Sequence, residues 1–548
     1  SYWYDQPKTF ESLVGEVFSD WSDVLSTEFK VSTRDYDAVR VPATNLPSIR
    51  VNVGNNGVFL GTEQNTHVNR IATEQFSAFG AANLFLGDHT LKFGFDYEEN
   101  DVFNFFGRNL NGVYTFNSIA DFSAGRPATY LLRTPRPNGG TLADIPATYT
   151  SENLGLFVQD TWAVNYNLTL NFGIRADRPD FSEQRLANAR IQQLYGLDNT
   201  NTVDFTLIQP RFGFNYTFDS DRQTQLRGGL GLFAGAAPNV WIAGVYQNTG
   251  LNFVEYDLRG AAAPNFSPNV PQPNPTVGPS AARQNVDILA PDFELPSVWK
   301  ANLALDHELP WWGMIASAEL VLTSVESGIF IQRLDTGAPT VAGQDGRMIY
   351  WNAAGRNRAN ANPVRGIENG SGGASNRANR PSDIGDVLLV RNTDKGQSKQ
   401  LTLSLQRPME DSWAWSFGYT FTDAQEVSPL TSSINNSNWN NQINFQHSEE
   451  VAQNSRYAIR DRLTGTLTYQ KAFFGDNRTT ISMFYEGRSG RPFSYIYFND
   501  INGDGAATND LFYVPAGPGD VIFTGGAAME TAFFEWLAQN PELAAYRG

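Results

Sequence analysis

Between Asn153 and Asp177 the chain reads NLGLFVQDTWAVNYNLTLNFGIRAD, and this stretch restricts the fold more than any other. In its second half Leu168, Leu170, Phe172 and Ile174 alternate with Thr169, Asn171, Gly173 and Arg175. A period of two is what a β-strand with one apolar and one polar face requires. Leu154, Leu156 and Val158 give the first half the same pattern. A short turn from Ala163 to Asn167 separates the halves, beside Trp162 and Tyr166. The unit is a hairpin with aromatic residues gathered at its turn.

The unit recurs along the chain. Phe10 to Phe18 and Val24 to Val31 flank the turn Ser19 to Asp23, and Ile71 to Leu86 flanks Gly87 to His89 with Thr90 to Glu98. Phe212 to Phe218 precedes Leu226 to Phe233. Trp299 to Leu309 turns at Pro310 to Gly313 and runs on to about Val325. Leu401 to Gln406 meets Trp413 to Thr422 across Pro408 to Ser412, and Leu463 to Lys471 meets Thr479 to Gly487 around Phe473 to Arg478. The pattern predicts about seven hairpins, or roughly fourteen strands. A helix is expected only near the end, over Ala528 to Ala538, ahead of Pro541.

Between the hairpins lie long polar connections, approximately 34–70, 99–151, 178–208, 234–297, 334–397, 425–461 and 496–548. The Pro-rich run PNFSPNVPQPNPTVGP in one of them suits an extended loop. Short turns therefore alternate strictly with long loops. Such loops are uncommon inside compact soluble domains, whereas outer-membrane barrels combine short periplasmic turns with long extracellular loops. Trp21, Trp162, Tyr166, Trp311, Trp312 and Trp413 all sit at or beside short turns, as an interfacial aromatic girdle requires. The polar faces are rich in Thr, Ser, Asn, Gln and Gly, which suits a hydrated lumen. The expected fold is all-β: an antiparallel transmembrane β-barrel of the outer-membrane type, surrounded by lipid.

Composition narrows the partners. A net charge of −17 argues against a nucleic-acid binder, and the absence of Cys removes any disulfide or thiolate metal site. No apolar run of about 18 residues predicts a membrane helix, a statement that leaves strands untouched. SYWYDQPKTF has neither the basic head nor the apolar run of a signal peptide. An open sheet edge cannot sit in hydrocarbon, so the strands must close into a ring. No closing strand is recognisable at either end. The chain reads as a partial barrel, about 14 of an expected 22 strands.

The pattern FVQD, then Trp162, then NLTLNFGIR and Asp177 resembles the barrel signature of TonB-dependent receptors, the energised outer-membrane transporters of Gram-negative bacteria. Asp500 to Pro515, DINGDGAATNDLFYVP, is similar to a loop of their Oar-like branch. The resemblance implies import driven by TonB pulling on a plug. No plug, TonB box or carboxypeptidase-like domain can be placed in this sequence, so this chain is expected to supply the wall and the ligand-contacting loops. A passive channel and a surface β-rich adhesion protein are the alternatives.

Three loop features carry candidate chemistry. Asp500, Asn502 and Asp504 put oxygens at alternate positions before Gly505, a pattern that suits a Ca²⁺ loop. Position twelve is Leu511, so Asp510 would have to close the site; the bland reading is an Asx-rich turn. Arg356, Arg358, Arg365, Arg377 and Arg380 crowd one loop and suit an anionic ligand or lipopolysaccharide phosphates. They equally suit a solvated loop. Trp439 and Phe445 in INNSNWNNQINFQ suit a sugar or peptide. There is no GxSxG, HExxH or P-loop, and His67, His89, His307 and His447 lie in separate segments, so no enzyme is expected.

Overall fold

Strands form where the alternation runs. In chain order the hairpins are β1 (Lys8–Ser22) with β2 (Leu25–Val39), β3 (Asn69–Leu86) with β4 (His89–Phe106), and β5 (Ala147–Ala163) with β6 (Leu168–Phe181). Then come β7 (Leu207–Thr217) with β8 (Thr224–Ala234) and β9 (Ser297–Glu308) with β10 (Ile315–Arg333). The last two are β11 (Gly396–Glu410) with β12 (Trp413–Glu426) and β13 (Asp461–Phe474) with β14 (Asn477–Arg488). The structure is a computed structural model, and it describes residues 2–548 except 55, 137–138, 183–184, 237–238, 277–281 and 358–376.

Each hairpin also pairs antiparallel with the next, so the fourteen strands make one continuous wall. Among the described residues no ladder joins β1 to β14. The two are free edges, and every residue of β1 except Ser19 is exposed. The apolar face points away from the protein: Leu154, Leu156, Val158, Phe172 and Ile174 are 44%, 54%, 45%, 43% and 49% exposed. The opposite face is held by polar pairs. Gly155 leaves room for Arg175 to lie across β5, where it bonds Asp96 on β4 (Nη2 to Oδ1, 2.8 Å) and Asp177 (Nε to Oδ2, 2.7 Å). A Cβ at Gly155 would strike that guanidinium.

All seven short turns lie at one end of the wall; five are tighter than the sequence suggests, and those after β7 and β9 are slightly longer. β1 continues through Ser22, with Trp21 in an irregularity between Asp20 and Ser22. The turn after β11 is only Asp411 and Ser412, both with positive φ (51° and 73°). Two left-handed residues are what a two-residue hairpin turn needs.

The long connections are folded, which corrects the reading of them as loops. Segments from three of them build a second sheet in the order Ala282–Arg283, Phe253–Arg259, Thr129–Pro135, Val113–Phe116, Ser48–Val53, Asn56–Gly61. Its own core gathers Val51, Tyr114, Phe116, Leu132 and Tyr256. The Pro-rich connection also carries the helix Asn239–Gln247 and the strand Val286–Leu289. Helices therefore occur well before the C-terminus, where the expected one spans Gly526–Ala538. Two short pairings are parallel, Ser48–Val53 with Val113–Phe116 and Val286–Leu289 with Val387–Thr393. Their partners lie far apart in sequence, so no local pattern announces them.

Candidate functional site

The folded connections cover the mouth of the wall at its loop end. Tyr149 on β5 and Val102 on β4 are register partners on the polar, inward face. Both are buried in one core with Ile242, Val245 and Tyr246 of the helix Asn239–Gln247, and with Ile329 and Ile331 of β10. Tyr149 and Tyr246 stack with ring centroids 4.5 Å apart. The helix thus lies over the inward face at the loop end, and the layer it belongs to forms a roof over that part of the wall.

Buried charge ties this layer together. Arg333, where β10 leaves the wall, is 3% exposed at its side chain and donates from Nε to Asp335 Oδ1 at 2.9 Å. It also bonds Asp386, which accepts from Arg380 Nη2 at 2.8 Å and from Asn436 Nδ2 at 2.7 Å. Arg380 Nε lies 3.0 Å from Asp335, so two guanidiniums meet two carboxylates. Burial raises Asp386, but Arg333 and Arg380 outweigh it and hold its carboxyl below the ordinary range. Asp287 is different. Among the described residues its Oδ2 accepts only amide N–H groups, from Asn248 and Asn435 at 3.1 Å each, and burial lifts it to about 7.

The Asp500–Asp510 loop packs into the same layer. Asp500, Asn502, Asp504 and Asp510 are all buried. Asp500 accepts from the backbone N–H of Gly503 (2.6 Å) and Gly505 (2.9 Å), and Arg377 Nη2 reaches it at 3.3 Å. Asp510 accepts from Arg347 Nη1 at 2.9 Å, and Asp504 faces His447 Nδ1 at 3.5 Å. Burial, helped by Asp504, pushes Asp510 up to about 6. Gly503 has φ +84° and lies against Trp351, where a Cβ would come within 2.8 Å. Among the described residues no three acidic or imidazole side chains are grouped to hold a metal ion.

The expected ligand residues divide. Arg377 and Arg380 are nearly enclosed in the ion pairs above, Trp439 is buried under the Arg333 guanidinium, and Phe445 lies 4.9 Å from that of Arg347. Arg356 is exposed and reaches Thr340 Oγ1 at 3.4 Å. Arg358 and Arg365 lie outside the described residues. The aromatic set holds together at the turn end: Tyr166 is 99% exposed, Trp21, Trp311, Trp312 and Trp413 are exposed, and Trp162 stacks on His89. Arg333, Asp335, Arg347, Asp386 and Asp287 escaped the sequence reading. One signal was available: Arg333 and Asp335 repeat the Arg-x-Asp spacing of Arg175 and Asp177, in which the arginine bonds the aspartate two residues on.

The model of a family described as the outer membrane beta barrel domain matches residues 18–538. Among curated proteins, none matches the chain in sequence. Among solved structures it is similar to the outer membrane transporter YddB from Escherichia coli, at 11% identity over 84% of this chain and 48% of that one, with a TM-score of 0.49. A ferric enterobactin receptor (PfeA) variant from Pseudomonas aeruginosa is 13% identical over 92% and 52%, TM-score 0.48. The FrpB iron transporter from Neisseria meningitidis is 9% identical over 87% and 50%, TM-score 0.45. The chain spans about half the length of each.

Proposed function

Given that the chain belongs to the outer membrane beta barrel domain family, we propose that it forms the barrel wall and ligand-contacting loops of a TonB-dependent transporter of the Oar-like branch. Its task in this reading is energised import of a scarce or bulky ligand, a peptide or an oligosaccharide. The observation that carries the proposal is the roofed mouth. A passive channel works with an open one, whereas a layer cored by Tyr149, Tyr246 and Ile331 must move before a bulky ligand enters. The signature that suggested the family lies in the β5–β6 hairpin, with Phe172 and Ile174 outward and Arg175 inward. Trp21, Trp162, Tyr166, Trp311, Trp312 and Trp413 are assigned to the periplasmic interface, and the exposed Arg356 to lipopolysaccharide or ligand anions. Coupling to TonB runs, in this reading, through a plug inside the barrel.

Planar-bilayer recording of the full protein separates the readings. A plugged transporter stays silent, and a steady open-channel conductance would make it a passive channel. Calcium at Asp500–Asp510 is a separate proposal, supported by the burial of four oxygen-bearing side chains. The ion would have to displace Arg347 and Arg377. Calorimetry with Ca²⁺ tests it, since equal heats for wild type and Asp504→Ala would rule the site out.

A further inference from the structure

The inward faces of β11 to β14 carry a ladder of hydroxyls, and most rungs pair across strands. Thr402 meets Thr420 at 3.3 Å, Ser416 meets Thr466 at 2.6 Å, and Thr468 meets Ser482 at 3.1 Å. Near the loop end the pairing stops. Gln400 stands directly opposite Thr422, and Ser398 opposite Ala424. Yet among the described residues the side chains of Ser398, Gln400 and Thr422 make no hydrogen bond. They line a cavity of about 340 Å³ between the wall and the segment 455–459. That size falls within the roughly 300–1,000 Å³ of small-molecule sites.

The rest of the lining fixes the chemistry. The segment is pinned by Ser455 N–H donating to Ala424 O at 2.8 Å, and it brings the half-exposed ring of Tyr457 to the cavity. No hydrogen bond holds the Tyr457 hydroxyl among the described residues. Arg462 also lines the cavity but is paired with Glu486 (Nε to Oε1, 2.9 Å), so the lining is close to neutral. An anion finds no unpaired cation there, and a cation finds no unpaired carboxylate.

We propose that this cavity is a subsite for a neutral, hydroxyl-rich ligand, one or two units of an uncharged oligosaccharide. Hydroxyl and amide groups both donate and accept, as sugar hydroxyls do, so each unpaired rung can meet either role. A tyrosine ring offers an apolar body for the C–H face of a sugar and a polar tip for its rim. The inference rests on the transporter reading and deepens it by naming the substrate class.

The test is calorimetry on the detergent-solubilised full protein. The probes are uncharged gluco-, xylo- and manno-hexasaccharides, an anionic galacturonate hexamer and a neutral hexapeptide. An uncharged hexasaccharide binds, and the anionic one does not. Affinity falls about tenfold in Gln400→Ala and at least as much in Tyr457→Ala, while Tyr457→Phe retains most of it. Unchanged heat-modifiable mobility on gels shows that the variants fold. Binding of the peptide alone, binding of no probe, or equal affinity in wild type and Tyr457→Ala overturns the subsite. Conductance of the same samples keeps the two readings apart. A silent pore without sugar binding removes only the subsite, and a steady pore with sugar binding removes only the energised transport.

Discussion

The wall and the layer that roofs it are built from the same chain by opposite rules. In the wall each strand pairs with its sequence neighbours across turns of a few residues, and its side chains alternate between two environments. In the roof, partners come from distant segments: Thr129–Pro135 pairs with Phe253–Arg259, and Arg333 reaches Asp386. The wall exposes its apolar side chains and holds its polar ones inward; the roof buries both. Stability in the wall is therefore spread over many weak cross-strand contacts, whereas the roof rests on a few costly groups.

Removing one of those groups is the hardest test of this difference. Arg333→Ala leaves the buried Asp335 and the partly buried Asp386 to share Arg380 alone, and losing one partner of such a buried pair costs up to about 3–5 kcal/mol. Amide exchange should accelerate across 329–335 and 384–391 and stay unchanged in β5 and β6. Global unfolding instead would mean that wall and roof are one cooperative unit. Leu132→Ala empties part of the second sheet's core and should cost roughly 2–5 kcal/mol. Limited proteolysis should then cut the connections 107–146 and 235–296 before any wall turn.

A pH dependence confined to the roof follows from Asp287. Burial lifts its carboxyl to about 7 from an ordinary 3.8, so the folded state keeps a proton that the unfolded chain releases. Its stabilising contribution is full below about pH 4 and is lost as the pH rises through 7. Exchange at the helix Asn239–Gln247 should quicken across that range in wild type and lose the dependence in Asp287→Asn. The smallest effect belongs to the wall. Thr161→Val removes one cross-strand bond to Asn171 (2.9 Å) and should cost about 0.2–1 kcal/mol, read as a slight shift in urea midpoint.

The same contrast explains what the sequence reveals. Phe172 and Asn171 announce their faces because the strand period is local, and seven hairpins follow from it. The turn-end aromatics are legible for the same reason, since each lies beside its own turn. Val113–Phe116 is too short to stand out, and one of its partners, Ser48–Val53, lies far away in sequence, so the second sheet stays hidden. The arginines of the 334–397 connection are visible as a cluster, but their partners are not. Arg380 meets Asp386 within its own connection, while Arg377 meets Asp500 from another. Asp500 to Asp510 shows the limit most clearly: its oxygen spacing is readable, and the guanidiniums that face it are not.

The central claim is that the strands divide lipid from lumen with a period of two. Because the chain has no Cys, single Cys substitutions from Thr169 to Ile174 can each carry a nitroxide label without background. In reconstituted bilayers, collision with oxygen should peak at 170, 172 and 174, and collision with a water-soluble nickel chelate at 169, 171 and 173. Equal accessibility at successive positions, or the chelate reaching Phe172 and Ile174 as readily as Asn171, would contradict the account.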